Sequence, residues 1–99
     1  MPDISGATVL VRSERAAWQD VAGEFVILDV EGRMLRGLNA SAGRVWMLLD
    51  GTRSLAQVAH ELAVHYRIAE ARALEDVLSL ARQLCDRGLL EAAPPPTSP

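Results

Sequence analysis

One stretch restricts this chain more than any other. From Ala69 to Gly88, Leu74, Val77, Leu78, Ala81, Leu84 and Cys85 recur at helical spacing, interleaved with Glu70, Arg72, Glu75, Asp76 and Arg82. Such a stripe predicts an amphipathic helix, which must lay one face on another layer of structure. Ala69, Glu70 and Ala71 open it, and Gly88 stands where a glycine commonly stops a helix. At about 100° per residue, the stripe centres near Ala81 and Leu74, with Leu80 at its edge beside Ala73, Asp76 and Arg87. An apolar residue at that edge is either ordinary partial exposure or the floor of a groove, and the periodicity fits both.

Two shorter helices come before it. Asn39 and Ser41 are both good N-caps, and Val45, Trp46, Leu48 and Leu49 carry an apolar face that Asp50 and Gly51 end. Ser54 with Gln57 three residues on matches a capping box, and Leu55, Val58, Ala59, Leu62 and Tyr66 then recur at helical spacing. The first half reads as strands instead. Val9, Leu10 and Val11 form a brief first strand, and Glu24 to Val30, rich in β-branched and aromatic residues, a second. Glu31 and Gly32 supply a tight turn, and Arg33 to Leu38 return as a third strand. The fold class expected is therefore α+β: a three-stranded antiparallel sheet followed by three helices, winged-helix-like in its proportions.

At 99 residues the chain has room for one domain. That domain is expected over residues 1–91, with 92–99 a disordered proline-rich tail to which no role is assigned. Apolar runs such as Val45 to Leu49 are far shorter than the roughly 20 residues that span a bilayer, and Met1, Pro2 and Asp3 do not begin a secretory signal. A soluble, cytoplasmic protein with no membrane partner is the expectation. The formal net charge is −3, and all ten basic residues are arginine. An acidic chain makes a poor general nucleic-acid binder, because phosphate neutralisation supplies most of that affinity.

Catalytic patterns fare badly. His60 and His65 lie five apart, about 140° around a helix, whereas a zinc pair needs a spacing of four. Two polar-face histidines are the better reading, and no metal site is expected. Cys85 is alone, so no intramolecular disulfide forms, and a small buried hydrophobe is a better description of it than a nucleophile. The seven glycines are scattered at turns and caps rather than gathered into a phosphate-cradling loop. Glu75 and Asp76 are sequence neighbours that point to different sides of a helix. No enzyme, no catalytic residue and no cofactor of its own follow. A DNA-binding reading is the alternative, with the third helix in the groove, but Arg72, Arg82 and Arg87 alternate with Glu70, Glu75, Asp76 and Asp86 and leave no basic stripe. Trp46 is placed in the core beside Val45 and Leu49, and Trp18 over one end of the sheet.

Strand addition accounts for the layout better. A third strand at the end of a hairpin can leave its backbone N–H and C=O groups unpaired, a template for an extended peptide, with the third helix as the second wall. The same open edge and small core permit a homodimer without demanding one.

The order of motifs then becomes specific. Gly23 and Glu24 with the strand after them, Leu38-Asn39-Ala40-Ser41-Ala42-Gly43 leading into Val45 and Trp46, and Leu49-Asp50-Gly51 resemble the PqqD family. So do Thr52-Arg53-Ser54-Leu55, Glu61-Leu62, Tyr66, and later Asp76-Val77, Leu80, Leu84 and Gly88-Leu89, together spanning roughly Val9 to Leu90. Members are peptide chaperones, or recognition elements for ribosomally made and post-translationally modified peptides (RiPPs). The resemblance implies that a precursor's leader peptide adds as a strand along Met34, Leu35, Arg36, Gly37 and Leu38, opposite Asp76, Val77, Leu80, Ala81 and Leu84. Ala81 is smaller than the bulky residue expected there, which would widen the groove. It also implies a peptide-modifying enzyme as second partner, such as a radical S-adenosylmethionine enzyme of PQQ synthesis or a leader peptidase of a lasso-peptide pathway. Any iron–sulfur cluster or S-adenosylmethionine would belong to that enzyme.

Overall fold

The structure, a computed structural model, describes residues 4–14, 16–21, 24–29 and 35–93. Its element order is β1 (Val9–Arg12), β2 (Ala16–Val21), β3 (Glu24–Asp29), β4 (Leu35–Leu38), α1 (Ala40–Leu48), β5 (Asp50–Ser54), α2 (Leu55–Tyr66), α3 (Glu70–Asp86) and β6 (Leu90–Ala92). Among the described residues three helices stand with two three-stranded antiparallel sheets, so the α+β class expected from sequence is the one observed.

The sheets differ from expectation in membership. β2, β3 and β4 form the sheet that precedes the helices, while β1 sits between β5 and β6 in a second sheet. The polar link of the sequence reading, Ala16 to Val21, is thus a strand, paired from Ala16 opposite Asp29 to Val21 opposite Glu24. Its alternation of Trp18 with Gln19 and Asp20 is weak, because both its faces are largely exposed. β5 was hidden in residues that read as a helix end followed by a cap, and β6 is only three residues long. β6 takes in Ala92, opposite Leu10, one residue into the segment read as tail.

Local chemistry explains the helix boundaries. Asn39 Oδ1 accepts the Ala42 N–H at 2.9 Å and the Ser41 hydroxyl at 3.0 Å, so Asn39 is the cap of α1 and Ser41 braces it. At α2 the capping box is complete: Ser54 Oγ accepts from Gln57 N at 3.2 Å, and Ser54 N donates to Gln57 Oε1 at 2.7 Å. α3 ends in a Schellman motif, with Gly88 N donating to Cys85 O and Leu89 N to Leu84 O, both at 2.9 Å. Gly88 takes φ +73°, the left-handed conformation that this motif needs. Leu89 and Leu84, the apolar pair of the motif, are both buried.

Trp46, Ile27, Leu49, Leu55, Leu84, Val58 and Val77 are the largest fully buried side chains, joining β3 and all three helices in one core. Trp18 is 40% exposed on β2, stacked on Phe25 with ring centroids 6.0 Å apart. Among the described residues no helix is long and apolar enough to cross a membrane.

Two expectations for stability follow. Ser54→Ala removes the α2 cap and should cost about 1 kcal/mol, lowering the thermal midpoint by about 4–8 °C for a domain of this size. Asp50 Oδ1 accepts from the Thr52 hydroxyl and N–H, and Arg53 lies against Oδ2; the Thr52 hydroxyl bond is the main reason that the carboxyl titrates below its usual 3.8. A lowered folded value means that the stabilisation is complete above the ordinary carboxylate range and is lost as pH falls through the folded value. Asp50→Asn should therefore unfold earlier than the parent at neutral pH, with the gap closing below about pH 4 in thermal scans.

Candidate functional site

β3 is the middle strand of its sheet, so among the described residues β4 is hydrogen-bonded on one side only. The register sets Leu35 opposite Leu28, Arg36 opposite Ile27, Gly37 opposite Val26 and Leu38 opposite Phe25. Alternation turns Leu38 inward, where it is buried, and leaves Gly37 exposed with nothing within 4 Å of where a Cβ would stand. Met34 lies outside the described residues.

A recess of about 640 Å³ opens where β4 gives way to α1. One wall is the first turn of α1, from Asn39 to Ala42 with Val45 behind it; another is the end of α2, with Leu62, Tyr66 and Ile68; the third is Asp76, Val77 and Leu80 on α3. Val45, Leu62 and Val77 are buried and form the floor, Leu80 is half-buried, and Asp76 is the charged group of the rim. The recess is thus mainly apolar, suited to bulky apolar side chains of an extended chain.

Of the residues singled out on α3, the structure brings Asp76, Val77 and Leu80 to the recess, whereas Ala81 and Leu84 are fully buried and do not line it. The cause is the rotation of the helix. Its buried centre runs through Ala73, Val77, Ala81 and Leu84, while Leu74, Leu78 and Cys85 are only half covered. Ala73, placed at the stripe's edge by periodicity, is therefore core, and Leu80 flanks the true centre. Ala81 contributes nothing to the lining of the recess. It is one of several buried small residues, with Ala73 on α3 and Ala59 and Ala63 on α2, that suit the close packing of these two helices. The first turn of α1 and the end of α2 also line the recess, and the periodicity of the sequence does not point to them. Asn39 directly follows the proposed strand, and Tyr66 stands 38% exposed at the end of an otherwise buried stripe; those were the available signals.

Other reactive side chains lie elsewhere. His60 Nδ1 contacts a Glu70 carboxylate oxygen, and His65 meets the Tyr66 ring edge-to-face at 4.7 Å. Cys85 is half-buried, and burial first, then Asp86, pushes its thiol above the usual 9.0.

An open sheet edge, three helices and an apolar recess at their junction define an α+β domain of winged-helix-like layout. The chain belongs to the PqqD family, described as coenzyme PQQ synthesis protein D, which it matches over residues 24–90. No curated protein matches it significantly. Among solved structures it is similar to the PqqD truncation of Methylobacterium extorquens PqqCD, a solution NMR structure described as a functional and stand-alone RiPP recognition element. The TM-score is 0.77 at 24% identity, covering 90% of this chain and 95% of that one. It is similar also to lasso peptide synthetase B1 complexed with the leader peptide (TM-score 0.75, 22% identity, 84% and 98% covered). A third is TbiB1 in complex with the TbiA(beta) leader peptide (0.74, 22%, 82% and 94%). At these identities the likeness is one of fold.

Two outcomes test this placement. Ala81→Leu should overpack the core and cost about 1–3 kcal/mol in denaturant unfolding. If Ala81 instead faced the groove, the variant would unfold like the parent. Cys85 should react with iodoacetamide far more slowly at neutral pH than after unfolding, as expected of a half-buried thiol held protonated.

Proposed function

We propose that this protein captures the leader segment of a ribosomally made precursor peptide as an added strand along β4 against α3, and presents it to a separate modifying enzyme. One observation carries the reading: among the described residues β4 is paired on one side only, and Asn39, the residue that follows it, lines an apolar recess walled by α1, the end of α2 and α3. Main-chain pairing at the edge supplies affinity for any extended segment, and the recess selects among them through side chains at alternate positions. Membership of the PqqD family supports it, as do two structures of the same fold that hold leader peptides.

The protein acts by binding, with no chemistry and no cofactor of its own. Burial raises the Cys85 thiol above its usual value, and neither Cys85 nor the His60–Glu70 pair lines the recess, so none of them stands where a bound peptide would lie. The bonds made or broken in the precursor belong to the partner enzyme, a radical S-adenosylmethionine enzyme or a leader peptidase being the two classes that the family suggests. Duplex DNA is disfavoured as a ligand, because the exposed charges of α3 and its C-terminus are three arginines against four carboxylates.

Leu80→Asp tests the groove. Binding of a fluorescein-labelled leader, taken from a short reading frame encoded beside the gene, should weaken at least about tenfold, equivalent to ~1.4 kcal/mol. The thermal midpoint should stay within a few degrees of the parent. Unchanged affinity, or loss of the folded state, would show that Leu80 does not face the ligand.

A further inference from the structure

The recess beside α3 does not end at α1. A second hollow of about 350 Å³ lies across the outer face of that helix, lined by Phe25, Ala40, Arg44, Met47, Leu48 and Tyr66. Ala40 and Tyr66 line both hollows, so the two adjoin around the first turn of α1 and the end of α2. Resting on the peptide-capture reading above, we propose that the bound segment continues past Tyr66 into this second hollow, where Met47 and Phe25 receive an apolar side chain and Arg44 pairs with an adjacent Asp or Glu.

Three features support this occupant. The first is exposed apolar surface: Met47 is 40% and Tyr66 38% exposed, which leaves large side chains half in water until something covers them. The second is charge. Arg44 is the charged group of the second hollow as Asp76 is of the first, and among the described residues Arg44 has no ion pair or side-chain hydrogen bond. A ligand spanning both therefore meets an anion at one end and a cation at the other, which fixes its direction and favours a carboxylate beside the second anchor.

The third is that the hollow is preformed. Gly43 lets the Phe25 ring lie so close that a Cβ there would stand 2.1 Å from it, and Trp18 stacks on Phe25. Arg12 braces the end of α1, donating to Trp46 O at 2.8 Å and Met47 O at 3.0 Å, with its guanidinium 5.8 Å from the Trp18 ring centre. Walls held in this way lose little freedom when a ligand arrives. Because Ala40 and Tyr66 line both hollows, an extended segment passes from one to the other within a few residues.

Random twelve-residue peptides displayed on phage and selected against the purified full-length chain provide the test. The expected consensus is two apolar positions within a few residues of each other, with Asp or Glu next to one of them. Selection on Arg44→Glu should replace that acidic residue with Lys or Arg, and Arg44→Gln should erase the preference. A peptide selected on the parent should bind Arg44→Glu at least tenfold more weakly and lose its main-chain protection nowhere along β4. Enriched peptides with no charge preference, or equal binding by parent and Arg44→Glu, would overturn the second hollow while leaving capture at β4 intact. Failure to enrich any peptide on the parent would overturn both.

Discussion

The position of β1 governs the rest of the molecule. It lies between β5 and β6, with Val9 opposite Ser54, Val11 opposite both Asp50 and Glu91, and Arg12 opposite Leu90. Three distant parts of the chain are thereby tied together: the beginning, the link between α1 and α2, and the return from α3. Between the Val9 and Val11 pairings β5 carries two more residues than β1, and Gly51, at φ +86°, has the freedom that this irregularity needs. Because both sides of β1 are occupied in this sheet, β2, β3 and β4 stand as a separate ribbon. That β4 is paired on one side only among the described residues, as the proposed strand addition requires, is consistent with that division.

On the proposed reading, the helices convert an open edge into a selective one. An exposed strand by itself would pair with almost any extended chain, an aggregation hazard as much as a function. Here Leu38 is drawn into the core, α1 begins at once under its Asn39 cap, and the rotation of α3 sets Leu80 and Asp76 on the flank facing the recess. Burial of Ala73, Val77, Ala81 and Leu84 fixes that rotation. The same side chains that stabilise the fold thus aim the ones available for recognition.

Much of this was legible in the sequence because it is written in local chemistry. The Asn39 cap, the Ser54 and Gln57 box and the Gly88 stop each satisfy orphan backbone groups within a few residues, so residue types betray them. What the sequence concealed depends on distant partners. Ala16 to Val21, Asp50 to Ser54 and Leu90 to Ala92 are strands only because β3 and β1 supply their hydrogen bonds. The recess was half legible for a similar reason. Periodicity found the flank of α3 but misjudged its rotation by a fraction of a turn, since the half-covered Leu74, Leu78 and Cys85 look as apolar as the buried residues. The end of α2 reaches the recess through tertiary packing, which no local pattern records.

The central claim, that an extended peptide docks between the β4 edge and α3, is tested most directly by amide chemical shifts. The isotope-labelled protein would be titrated with leaders from short reading frames encoded beside its gene. The account expects saturable shifts at Leu35 to Leu38, at the first turn of α1 and from Asp76 to Leu80, with slowed exchange of β4 amides that face the added strand. Shifts confined to β5 or β6, or a helix α3 that responds to duplex DNA and to no leader, would contradict it.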